Sequence, residues 1–102
     1  MFGKSKQDPD LEVFTVYDSK SGVYDAPALS PNKNVLLRDV INMLRDPQQS
    51  KNKYLTNAED FSIFKIGSYS KRTGLIEGHN PEHVANMHEL RTMAEPGALS
   101  ST

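Results

Sequence analysis

Glu59-Asp60-Phe61-Ser62-Ile63-Phe64-Lys65-Ile66, then Ser70-Lys71-Arg72-Thr73-Gly74, then Leu75-Ile76-Glu77 is the stretch that decides the fold. Phe61 to Ile66 is rich in aromatic and β-branched residues and reads as a strand. Residues 70–74 carry turn chemistry, with Gly74 available for positive φ, and residues 75–77 return as a second strand. The same grammar occurs earlier. Leu11-Glu12-Val13-Phe14-Thr15-Val16-Tyr17 is a strand, Asp18-Ser19-Lys20-Ser21-Gly22 a turn, and Val23-Tyr24 a short return ended by Pro27 and Pro31. Tyr17 to Val23 lines up with Tyr69 to Leu75: an aromatic, a hydrophilic turn, a glycine five residues on, an aliphatic. Shared hairpin chemistry explains the echo, with duplication of a ββα unit as the alternative.

Each hairpin is followed by a helical pattern. Leu36, Leu37, Val40, Ile41 and Leu44 recur at helical spacing over residues 35–45. Asn34 suits the N-cap, and Pro47 forces Asp46 out of helical conformation. Asn80 and Pro81 suit the cap and first position of a last helix, with Val84, Met87, Leu90 and Ala94 as its apolar stripe and Pro96-Gly97 as its end. The expected fold is therefore α+β: an antiparallel sheet from two β-hairpins with two helices, in ββα-ββα order. Neither face of the first strand is wholly polar, so both faces should be covered. Residues 1–10 read as a flexible arm, 11–95 as one domain and 96–102 as a tail.

The chain has 102 residues, with twelve Lys and Arg against thirteen Asp and Glu, for a formal charge of −1. Uniform basic coating of nucleic acid is excluded, and any contact with a polyanion needs a local patch. There is no cysteine, which removes thiolate chemistry, disulfides and iron–sulfur centres together. No apolar run approaches the roughly 20 residues of a membrane span. The protein is expected to be soluble and to act where it is made.

Catalytic patterns are absent. There is no nucleophile elbow and no phosphate-binding glycine loop. His79 and His83 are four apart, but the cap assignment leaves His79 outside the helix, so no metal or other cofactor is expected. Cations on loops beside aromatics suit phosphate contact with base stacking. Lys51, Lys53 and Tyr54 form one such group, Tyr69, Lys71 and Arg72 another, with Lys65 on the strand between them and Arg38 as a lesser candidate.

Residues Phe14-Thr15-Val16-Tyr17-Asp18-Ser19-Lys20, Arg38 in a helix ending near Arg45-Asp46-Pro47, Glu59 through Tyr69, and Thr73-Gly74 resemble the small nonstructural protein of gokushovirus-type microviruses, tailless phages with single-stranded DNA genomes. The likeness spans residues 11–78. It implies a non-enzymatic protein of the infected bacterial cytoplasm that binds DNA, single-stranded above all, and assists the switch to single-stranded genome synthesis and packaging. With four phosphate contacts, single-strand binding would have a salt slope near about −3, and a homodimer would raise a modest affinity. The alternative is a protein-interaction module that docks on a replication initiator, a host replication protein or the capsid interior, using the stripe of the last helix. Cations gathered on one side favour the first reading, and cations on opposite flanks favour the second.

Overall fold

The computed structural model describes residues 10–96. The expected arm at 1–10 and tail at 96–102 therefore lie outside the described residues, apart from Asp10 and Pro96. The elements run β1 (Leu11–Asp18), β2 (Val23–Tyr24), β3 (Ala28–Ser30), α1 (Lys33–Arg45), α2 (Lys53–Thr56), β4 (Phe61–Tyr69), β5 (Ile76–Asn86) and α3 (Met87–Ala94). Single 3₁₀ turns at 47–49 and 58–60 flank α2. The architecture is α+β with an antiparallel five-stranded sheet in the order β2-β1-β4-β5, with β3 also paired to β1.

Four features differ from the ββα-ββα plan. The segment between Pro27 and Pro31 forms β3, and the polar loop after α1 contains α2. The cap of α1 is Asn32, whose side chain accepts from Val35 N–H at 2.9 Å, rather than Asn34. Ser30 is still paired to Glu12 in the sheet, so the chain turns into helix immediately after Pro31. The largest difference is β5. Residues 80 and 81 lie inside this strand, and α3 begins only at Met87. Lys65 pairs with Glu82 and Gly67 with Gly78, so His79, Asn80 and Pro81 together oppose Ile66 as a bulge. A proline has no N–H for the ladder, and a bulge on an outer strand is where a sheet tolerates it.

The core lies between one sheet face and the helices. Phe14, Phe61 and Ile63 from the strands meet Leu44 of α1, Ala58 of the second 3₁₀ turn, and Met87, Leu90 and Ala94 of α3. Val16, Leu36, Leu37, Val40, Ile41 and Val84 pack around them. The stripe of the last helix is thus core and does not form a docking face; of the large hydrophobics on α3, Met93 alone is substantially exposed. Gly67 lies against the β5 backbone at Glu77 and Gly78. A Cβ there would lie 2.4 Å from the Glu77 carbonyl oxygen, so only glycine fits without moving a strand.

The two hairpin turns do share their chemistry. Gly22 and Gly74 have φ of 75° and 77°, and each donates its N–H to the carbonyl four residues back, at Asp18 and Ser70. The likeness ends with the turns. The first return strand has two residues and leads to β3, whereas the second has eleven and leads directly into α3.

Candidate nucleic-acid interface

Alternation along the strands places Phe14, Val16, Phe61 and Ile63 toward the helices and Thr15, Tyr17, Ser62 and Phe64 on the opposite face. The ladder then aligns that second set. Tyr17 pairs with Tyr24, Thr15 with Phe64, and Phe64 with His83. Directly opposed side chains share a face and touch. Tyr17 and Tyr24 have ring centroids 4.8 Å apart, Tyr24 and Phe64 5.9 Å, and Tyr17 and Phe64 6.3 Å. His83 continues the cluster, 5.5 Å from Phe64 and nearly perpendicular to it. Four rings from four strands thus gather on the face that carries no helix. They do not bury one another: Tyr24 is 47% exposed, His83 is exposed, and Tyr17 and Phe64 are half-buried. The first strand's second face carries these rings and no helix, yet Val13 and Thr15 on it are buried, in keeping with the expectation that both faces are covered.

A polar edge adjoins the rings. Ser62 is opposite Asn86 in the ladder. Asn86 Oδ1 accepts from Ser62 Oγ at 3.0 Å and lies 2.8 Å from His83 Nε2. Thr15 closes the other side by donating its hydroxyl to the Asp25 carbonyl at 2.7 Å. Exposed rings that offer π-faces beside hydrogen-bonding groups are suited to stacking unpaired bases.

The cations expected to bind phosphate are divided between the two ends of the sheet. Because β1 and β4 are antiparallel, Asp18 faces Phe61 at one end and Leu11 faces Tyr69 at the other. Nine residues of β4 separate the ends, about 26 Å at 3.3 Å per residue. Lys51, Lys53 and Tyr54 lie at the Phe61 end, and Tyr69, Lys71 and Arg72 at the far end. Nor are the cations all available. Lys53 Nζ is 3.5 Å from Asp25 Oδ2, and it also sits over the Tyr54 and Phe61 rings at 5.4 and 5.6 Å. Lys65 Nζ is 3.3 Å from Glu12 and on the helix-covered face. Arg38 is exposed on α1, 4.0 Å from Asp39.

Tyr54 is a clamp. Its ring packs edge-on against Phe61 with centroids 5.0 Å apart, and its hydroxyl donates to the Asp25 carboxylate. Burial, and then this bond, push the phenol well above its ordinary value. The same bond, reinforced by the Ala26 N–H, holds the Asp25 carboxyl below its ordinary range. On the far side of α2, Arg91 pairs with Glu59 and donates to the Leu55 carbonyl at 3.2 Å. That pairing lowers the Glu59 carboxyl.

Sequence reasoning thus found two cationic groups and missed the aromatic face. Tyr17 and Tyr24 flank a turn and are legible as a cross-strand pair. Phe64 is legible from alternation. His83 was hidden because Asn80-Pro81 placed it in a helix.

Among the described residues no helix is long and apolar enough to cross a membrane. A family model described as Phage ORF5 protein matches residues 11–90. No curated protein and no solved structure matches the chain.

Proposed function

Because the chain belongs to the Phage ORF5 protein family, we propose that it is a phage accessory protein that binds single-stranded DNA by stacking bases on the open face of its sheet. The single observation that carries this reading is the cluster of Tyr17, Tyr24, Phe64 and His83. An enzyme-like chemistry is not part of the proposal. Its setting would be the cytoplasm of a bacterium infected by a gokushovirus-type microvirus, where single-stranded genome is made and packaged. The rings supply contact that does not depend on charge, which suits a chain of net charge −1. Lys51, Lys53, Lys71 and Arg72 then act as outlying phosphate contacts at the two ends, with no central cationic patch. Tyr54 serves as a packing residue in place of the stacking role its sequence context suggested, and Tyr69, half-buried at the far end of the sheet, lies outside the ring cluster. Two copies side by side would double the stacking surface, so a homodimer belongs to the same proposal.

The test is fluorescence anisotropy of a labelled ten-nucleotide single strand at about 50 mM salt, where even a few phosphate contacts add to binding. Saturable binding is expected. A flat titration sinks the reading.

Two observations favour the second reading, docking on a replication initiator, a host replication protein or the capsid interior: the loop cations stand at opposite ends of the sheet, and the tip of the last hairpin is apolar and open. Leu75 and Ile76, at the tip between β4 and β5, are 65% and 63% exposed, the most open large hydrophobics among the described residues. Retention of a phage protein by the wild-type chain, but not by the double variant Leu75→Ser/Ile76→Ser, would support it.

A further inference from the structure

We propose that the outer face of α1 lies in the major groove of double-stranded DNA, with Asn34, Arg38, Asn42 and Arg45 as its contacts. This surface is separate from the rings: α1 packs on the opposite face of the sheet, so the proposal does not depend on the single-strand reading. At about 100° per residue, Asn34, Arg45, Arg38 and Asn42 fall within an arc of about 80°, on the side of the helix away from Leu36, Val40 and Leu44. All four are exposed. Asp39 lies about 60° outside the arc by the same spacing. It is 4.0 Å from Arg38, an exposed ion pair of the kind that contributes little. Arg45 makes one long contact, 3.4 Å to the Met93 carbonyl. α1 as a whole carries three cations, Lys33, Arg38 and Arg45, against the one carboxylate of Asp39, a surplus of two in a chain of net charge −1.

The residue types suit a groove better than bulk water. A solvated helix face is ordinarily supported by opposite charges four residues apart. Positions 34, 38 and 42 instead read Asn, Arg, Asn. Asparagine is a poor helix former away from a cap. The cap of α1 is Asn32, and the side chains of Asn34 and Asn42 have no hydrogen-bond partner among the described residues. Two amides thus weaken the helix locally with no compensating bond, and such breaks with local preference gather at functional surfaces. In the major groove, arginine matches the two acceptors of guanine, and asparagine the acceptor and donor of adenine. The same face carries no aromatic ring, so it offers nothing on which unpaired bases stack. A helix about 10–12 Å across fits a groove about 12 Å wide, and thirteen residues span about 20 Å of it.

The experiment is fluorescence anisotropy of the full chain with a labelled duplex of about 20 base pairs and mixed sequence, at about 50 mM salt. Wild type should bind it saturably. The double variant Arg38→Gln/Arg45→Gln should weaken duplex binding by about tenfold or more. Asn42→Ala should weaken it by about fivefold or more, the low end for a two-point contact with a base edge. Its urea midpoint should be unchanged or higher, because alanine favours the helix, so the loss is not one of folding. Tyr24→Ala, on the other face, should leave duplex binding within about twofold of wild type. An excess of unlabelled ten-nucleotide single strand should not displace the duplex. A flat duplex titration of wild type overturns the proposal, as does duplex affinity that survives both the arginine double variant and Asn42→Ala. Displacement of the duplex by the single strand also overturns it, since one surface would then serve both. Duplex binding that responds to these variants in a chain that ignores single strands upholds this proposal and sinks the single-strand reading.

Discussion

At the scale of single residues, position within the ladder counts for more than residue type. Asn32 and Asn34 are chemically identical and two apart, yet only Asn32 accepts from a free helical N–H. Asn32→Ala should therefore destabilise the protein by about 1 kcal/mol, and Asn34→Ala by a few tenths at most, as read from urea midpoints. Equal effects would contradict the cap seen here. The same contrast applies to function. Tyr24 is 47% exposed within the ring cluster, whereas Lys71 sits at the end of the sheet remote from it. Tyr24→Ala should weaken single-strand binding by about 1–3 kcal/mol, the range for loss of one stacked base. Lys71→Ala should change it by less than about threefold, roughly one weak phosphate contact. Anisotropy titrations of both variants compare the two directly.

At the scale of elements, much of the fold was legible because it depends on local chemistry. β1 and the start of β4 follow from alternating apolar residues, and α1 from its five-residue stripe. Both turns follow from their glycines, whose positive φ is what Gly22 and Gly74 adopt. The error at β5 has an equally local cause. Asn80-Pro81 is a strong helix-start pair, but the pairing of Glu82 with Lys65 and of Ala85 with Ile63 outweighs that preference. Long-range pairing is invisible to a window of ten residues. The candidate site was legible only in part for the same reason. Tyr17, Tyr24, Phe64 and His83 are scattered over 67 positions and come together only through the strand order.

The clamp between α2 and the loop after β2 gives a prediction at this scale. The Asp25 carboxyl is lowered by the Tyr54 hydroxyl, so its contribution is complete above the unfolded value near about 4 and fades as pH falls through the folded one. The Tyr54 phenol is raised by burial and by Asp25, so the unfolded chain ionises first, and stability declines as pH rises past the ordinary 10.0. The stability gap between wild type and Tyr54→Phe should therefore be widest between about pH 5 and 9 and should narrow on both sides. Urea midpoints at pH 3, 7 and 10.5 check it. A gap independent of pH would mean that the bond with Asp25 contributes nothing.

At the scale of the whole molecule, the balance of charge is the governing constraint. The four loop cations are split between ends about 26 Å apart, so a short strand lying on the rings reaches one end at most. One or two phosphate contacts imply a slope of log affinity against log salt near −0.7 to −1.4, shallower than the roughly −3 that four gathered cations would produce. Titrations from about 50 to 300 mM salt measure it. A slope as steep as −3 would mean that a second copy brings the ends together, and the molecular mass of the complex would then be that of a dimer.

The bulge of His79, Asn80 and Pro81 has a consequence for the protein in a crowded cell. β5 is the outermost strand, and its free backbone groups would otherwise offer an eleven-residue template to any neighbouring chain. Three looped-out residues, one without an N–H, cut that template into pieces too short to recruit a stranger. The sheet can thus keep its aromatic side bare without its rim becoming a seed for fibrils.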